Sequence, residues 1–117
     1  MGVRVENEPG MQPESNENEK GIHMAELLKP ETVQVLLGEV PTWKLGDNNI
    51  ERTFKFDGFL PAIEFVDKLA REAEEMNHHP DIDIRWNTVK LVLATHSVGG
   101  LTDLDFMLAA KIDKLAQ

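Results

Sequence analysis

The sequence predicts an α+β fold with the order α-β-β-α-β-β-α, a four-stranded antiparallel sheet and the helices packed on one of its faces. Three observations predict it. Two segments, Phe59 to Met76 and the stretch after Thr102, repeat apolar residues at the helical period. Short segments on either side of the long helix alternate apolar and polar residues, as half-buried strands do. Clusters of Gly, Asp, Asn and Pro punctuate them at the places where such a chain has to turn.

Each element has its own signal. Pro30-Glu31-Thr32 opens a short helix, because proline is tolerated in a first turn, and Gly38 is available to end it. Val33, Leu36 and Leu37 form its buried face. Thr42–Leu45 reads as a strand, with Trp43 a core residue, and Gly46-Asp47-Asn48-Asn49 as a turn. Arg52–Asp57 places Phe54 and Phe56 on one face and Thr53 and Lys55 on the other. The long helix carries Phe59, Ile63, Val66, Leu69 or Ala70, Ala73 and Met76 on one stripe, and Pro80 ends the pattern while holding His79 extended. Ile82, Ile84 and Trp86 alternate, as do Val89, Leu91 and Leu93, with Trp86-Asn87-Thr88 as a tight connection between them. Gly99-Gly100 breaks the second strand, and Thr102 caps a last helix whose inner stripe includes Leu104, Leu108, Ile112 and Leu115. The sheet face away from the helices is either solvated or paired with another subunit.

Composition narrows the function. A chain of 117 residues, 41% hydrophobic and 28% charged, has the make-up of one soluble globular domain. A net charge of −9 and the lack of any Lys/Arg stripe argue against nucleic acid as a partner. Cysteine is absent, so disulfides and thiol chemistry are excluded. No apolar run has the length of a bilayer span and no signal-peptide core opens the chain, which makes the cytoplasm the expected location and a membrane an unexpected partner. Residues 1–23 hold five Glu, two Pro and three Asn with no periodicity, and are expected to form a disordered tail. His23-Met24 resembles a cloning junction, which favours a vector-derived tail over a native acidic extension and places the domain at 24–117.

Three of the four histidines fall within 19 residues, in the pattern Glu74-x3-His78-His79-Pro80-x5-Trp86-x9-His96-x8-Asp105. Imidazole is the side chain best suited to move protons near neutral pH, so the cluster suggests a small acid–base site. Glu74 and His78 are four apart at a helix end, where their side chains can meet and where a charged proton donor is favoured. His79 and His96 lie at the rims of secondary structure, where a rigid scaffold presents functional groups. Asp105 is ambiguous, because Thr102-x-x-Asp105 also has the spacing of a capping box. Trp86 reads as a packing residue that also suits a site wall. A metal centre built on His78, His96 and Glu74 is the rival reading. Against it, the adjacent His78 and His79 point apart in an extended segment, and no helical pair of histidines four apart is present.

On these residues the chain from about Leu27 to Leu115 resembles the pterin-4a-carbinolamine dehydratases, also known as dimerisation cofactors of homeodomain transcription factors. Glu74, His78-His79-Pro80, Trp86, His96 in Ala94-Thr95-His96, and Asp105 match that family's signature, as do Phe54-Lys55-Phe56 and Gly100-Leu101-Thr102. The resemblance implies dehydration of a 4a-hydroxytetrahydropterin to the quinonoid dihydropterin, with no metal and no organic cofactor. It implies that His78 and His96 transfer the protons, that His79 orients the ring and shares in the chemistry, and that Glu74 orients or charges His78. The Thr95 neighbourhood would offer backbone groups to the polar edge of the pterin. A homodimer or homotetramer is implied as well. Asn77 and Ser97 depart from the acidic residues often found at those two places, which bears on side-chain preference and affinity for the pterin. A dehydratase-like scaffold or protein-binding cofactor without activity is the other expectation, although such a protein should have lost its imidazoles and this chain keeps all three.

Overall fold

The computed structural model describes residues 25–117. The tail at 1–23, and Met24 as the start of the domain, lie outside the described residues. Along the described chain run α1 (Pro30–Leu37), β1 (Lys44–Leu45), β2 (Ile50–Lys55), α2 (Phe59–Met76), β3 (Asp81–Arg85), β4 (Thr88–Leu93), a 3-10 turn (His96–Val98) and α3 (Asp103–Leu115). The α-β-β-α-β-β-α order is the one the patterns predict, with the 3-10 turn added between β4 and α3.

The strands pair antiparallel in the order β1-β2-β4-β3. Residues directly opposite one another share a sheet face. The pairs Phe54↔Val89 and Ile84↔Val89 therefore place those side chains on one face, together with Leu91 and its partner Ile82. Ile50, Phe54, Val89, Leu91 and Leu93 are buried there with Phe65 and Leu69 of α2 and Leu108 and Ile112 of α3. The other face carries Thr53, Lys55, Asp83, Arg85 and Lys90, all exposed. The helices thus cover one face only.

β2 runs two residues earlier than the Arg52–Asp57 read from the alternation, ending at Lys55 where the chain turns toward α2, and three further details differ from the sequence reading. The buried stripe of α2 is Ala62, Phe65, Leu69 and Ala73, turned by about one residue from Ile63 and Val66, and Phe59 is half exposed. Phe65 sets that rotation, since its ring packs 4.9 Å from both Phe54 and Phe56 and an aromatic ring buries more area than Ile or Val. β1 is only Lys44–Leu45, and Trp43 precedes it in an irregular segment, buried and donating from Nε1 to Asp113 at 2.8 Å. The third concerns Trp86, which is not part of the core or packed against it. It stands 70% exposed at the two-residue turn between β3 and β4, with φ at +54°. Asn87 rather than Trp86 fixes that turn, because its Nδ2 donates to the Phe56 carbonyl at 3.0 Å and its carbonyl accepts from the Phe56 amide at 2.9 Å.

Candidate active site

The two adjacent histidines are separated by the way α2 ends. Asn77 takes the left-handed conformation, φ +51°, which Asn tolerates better than most residues. Its amide donates to the Glu74 carbonyl and the His78 amide donates to the Ala73 carbonyl, both at 3.0 Å, closing the paired bonds of a Schellman cap. The helix therefore stops at Met76, before Pro80 is reached. In such a cap the second residue past the end packs back on the last turn, and that residue is His78, next to buried Ala73. His79, one step further in extended chain, points the other way.

Glu74 accordingly meets His79 and not His78. Its Oε1 lies 2.8 Å from His79 Nε2, with both side chains largely in solvent. The helical four-residue spacing from Glu74 to His78 does not apply, because His78 is no longer on the helix. His78 instead has Nε2 2.6 Å from Oδ1 of Asp105, which is fully buried at the start of α3.

Asp105 joins several parts of the site. Its Oδ2 accepts from the Thr95 hydroxyl and from the Thr102 amide, each at 2.9 Å. Thr102 Oγ1 in turn accepts from the Leu104 amide at 3.2 Å, which completes the capping box. The capping role read from the spacing and the orienting role coexist, since one oxygen serves the helix and the other serves His78. Thr95 and Thr102 also touch each other, Oγ1 to Oγ1 at 2.8 Å. Through Thr95 the buried carboxylate is tied to the next residue, His96, which opens the 3-10 turn and is exposed. The backbone of Thr95 is already engaged. Its amide donates to Gly100 and its carbonyl accepts from Val98 and Gly99. His96 lines a recess of about 230 Å³ together with Asp47, Asn48, Asn49, Ala94, Gly99 and Gly100.

The sequence-predicted residues thus fall into two groups and one outlier. His78, Asp105 and Thr95 form a hydrogen-bonded cluster, with His96 exposed on the residue after Thr95, and Glu74 with His79 forms a solvent-facing pair. Trp86 lies at the far end of the β3–β4 hairpin. Five residues of strand from Asp81 separate it from the histidine end by about 17 Å. Thr102 and Asn77 are the residues that pattern reasoning undervalued. The first reads as a cap and the second as a departure from an acidic residue. A buried Thr-x-x-Asp box, together with the Asn that precedes the His pair, is the signal that could have found both. Among the described residues no group of three or more His, Cys, Asp or Glu side chains is arranged to hold a metal ion. None of their helices is long and apolar enough to cross a membrane.

Comparison with known proteins shows the family. Residues 26–115 match the family described as pterin 4 alpha carbinolamine dehydratase. A protein of Acidobacterium capsulatum, provisionally named pterin-4-alpha-carbinolamine dehydratase, is 50% identical over 88 residues, which is 75% of this chain and 96% of that protein. The crystal structure of a transcriptional coactivator/pterin dehydratase from Brucella melitensis superposes with a TM-score of 0.76 at 34% identity, covering 79% of this chain and all of that one. A pterin dehydratase-like protein identified as a RuBisCO assembly factor in the alpha-carboxysome is more distant, with a TM-score of 0.56 and 27% identity over 64% of this chain and 89% of its own.

Proposed function

This chain belongs to the pterin 4 alpha carbinolamine dehydratase family, and from that premise we propose that it removes water from a 4a-hydroxytetrahydropterin to give the quinonoid dihydropterin. The reaction needs one proton delivered to the departing 4a-hydroxyl and one taken from ring nitrogen N5. As the C4a–O bond breaks, its electron pair leaves with the oxygen as water. The electrons of N5 close a C4a=N5 double bond, and the N5 proton passes to a base. No redox change occurs, so two imidazoles suffice. His78, backed by a carboxylate that neutralises it when charged, is the donor. His96 is the base, and exchange with water resets both. His79, steadied by Glu74, binds and orients the ring.

The observation that carries this reading is the 2.6 Å contact between His78 Nε2 and the buried Asp105. A histidine held by a buried carboxylate recurs where imidazole has to pass protons in a fixed orientation. The Thr95 bond to the same carboxylate supports a fixed spacing between His78 and the turn that bears His96.

We also propose that the protein works as a homodimer or homotetramer. β3 is an edge strand with unpaired backbone groups, and Ile82 and Ile84 stand about two-fifths exposed on its helix-side face, a combination that single domains usually cover.

The test is the rate of 4a-hydroxytetrahydropterin breakdown, followed by ultraviolet absorbance, for the wild-type chain and for His78→Ala/His96→Ala. The expected result is acceleration over buffer that falls by about 10²–10⁴-fold in the double variant. A folded wild type that does not accelerate the reaction overturns the proposal and leaves a dehydratase-like scaffold role, of the kind named for the alpha-carboxysome protein, in its place.

A further inference from the structure

The hydrogens around Asp105 can be counted. A carboxylate offers no hydrogen, so the Thr95 hydroxyl spends its only one on Oδ2 at 2.9 Å. On the 2.8 Å contact between the two threonine hydroxyls, Thr95 therefore has only a lone pair left to give, and Thr102 is the donor. Thr102 is free to donate, because the Leu104 amide uses one of its lone pairs and not its hydrogen. The Thr102 amide adds a second hydrogen to Oδ2. All the bonds run one way, from Leu104 through Thr102 and Thr95 to Asp105. Thr102 and Asp105 are fully buried and Thr95 nearly so, which leaves water little access to reverse the order.

The direction continues to His78. With Oδ2 saturated by two donors, Oδ1 faces Nε2 as an acceptor, and a hydrogen on Nε2 is what completes the 2.6 Å contact. Nδ1 has no hydrogen-bond partner among the described residues. We propose that Thr102 and Thr95 form a one-way hydrogen-bond relay that holds the Asp105 carboxylate with Oδ1 turned to His78 and thereby keeps His78 in its Nε2–H form, so that Nδ1 alone exchanges protons with the pterin. Thr95 and Thr102 are then positioning residues that act through Asp105. The proposal rests on the dehydratase reading only for the identity of the proton acceptor, since the tautomer is a property of the protein by itself.

In the reaction the charged imidazole gives its Nδ1 hydrogen to the 4a-hydroxyl as the C4a–O bond breaks. It returns to one neutral tautomer, with Nε2–H still on Asp105. No ring flip or proton shuffle separates one turnover from the next. A His78 free to take either tautomer would spend part of its time with a lone pair turned to the carboxylate, repelled by it, and a hydrogen already on Nδ1.

The test is nitrogen NMR of the wild-type chain carrying ¹⁵N-labelled histidine, followed upward in pH until His78 is neutral. His78 is assigned by the signal lost in His78→Gln. The expected spectrum has Nε2 in the protonated, pyrrole-type range and Nδ1 in the unprotonated, pyridine-type range. The reverse pattern, or a mixture of the two tautomers, overturns the proposal. The second arm compares Thr95→Val with Thr95→Ser. Valine keeps the shape and removes the donor, so Asp105 loses one bond and Thr102 loses its acceptor. It should mix the tautomers in the spectrum and lower kcat by about 10- to 100-fold with KM changed less than threefold, while serine should restore both. A Thr95→Val protein that keeps a pure Nε2–H signal and wild-type kcat would also sink it. A chain with no dehydratase activity but a pure Nε2–H signal would retain the relay and refute the proposed reaction, so the two failures are distinguishable.

Discussion

His78 and His79 are neighbours, each has a carboxylate within 2.8 Å through Nε2, and they live in opposite environments. His78 with Asp105 is sealed in the interior, and the carboxylate has three protein partners. His79 with Glu74 stands at the surface, 58% and 80% exposed. In the interior the effective dielectric is low and salt does not reach, so charge and orientation are tightly coupled. At the surface an ion pair fixes two long side chains for a gain of about 0.2–1 kcal/mol, screened by salt. A histidine beside a carboxylate is therefore rigidly held in one place and only loosely steadied in the other. Asn77 makes the division possible, because its left-handed turn sends the first histidine inward and the next one out.

The contrast can be broken most forcefully at Asp105. Asp105→Ala leaves the Thr102 amide, the Thr95 hydroxyl and the His78 ring without their acceptor. It should lower the unfolding free energy by about 3–5 kcal/mol in urea titration. Glu74→Ala should change it by less than about 0.5 kcal/mol. Comparable losses at the two sites would remove the distinction between them.

A smaller effect is expected at the divider itself. Asn77→Val forces a β-branched residue into the left-handed region, at a cost of about 1–2 kcal/mol, whereas Asn77→Gly should be neutral or slightly stabilising. If the cap also aims His78, the valine variant should lose more activity than its thermal melting curve accounts for, measured at a temperature where both variants are folded.

The smallest effect is that of salt on the rim. Between about 0.05 and 0.5 M salt the screening length shrinks to a few ångströms. Whatever Glu74→Gln does to KM at low salt should fade at high salt, while an effect of Asp105→Asn should persist. Equal salt sensitivity for the two variants would mean that the buried carboxylate is open to solvent in solution.

Much of the fold was legible because it rests on local periodicity. The strand alternation around Phe54 and from Val89 to Leu93, the turn at 46–49 and the cap at Thr102 are properties of neighbouring residues, and each emerges near where the pattern puts it, the first strand two residues early, at Ile50–Lys55. The rotation of α2 was not legible, since apolar residues cover more than one face of that helix and only the Phe65 contacts with Phe54 and Phe56, on another element, select among them. The site divides in the same way. The residue types were readable, but the partnership of His78 with Asp105, 27 residues away, depends on how the start of α3 packs beside the end of α2. Spacing alone favoured Glu74, and the left-handed Asn77 reversed that preference. Trp86 looked like part of the site in linear order, yet the length of a strand separates it from the histidines.

The most direct test of the account is the steady-state rate of 4a-hydroxytetrahydropterin dehydration by Asp105→Asn beside Glu74→Gln, both folded and assayed together. Each substitution removes a charge and keeps the shape. An asparagine that turns its amide hydrogens toward His78 imposes the wrong tautomer, a fault that costs up to about 10⁴-fold where it has been measured in another enzyme. The expected result is that kcat falls by about 10²-fold or more for Asp105→Asn and by less than about tenfold for Glu74→Gln. Equal losses, or the larger loss at Glu74, would contradict it.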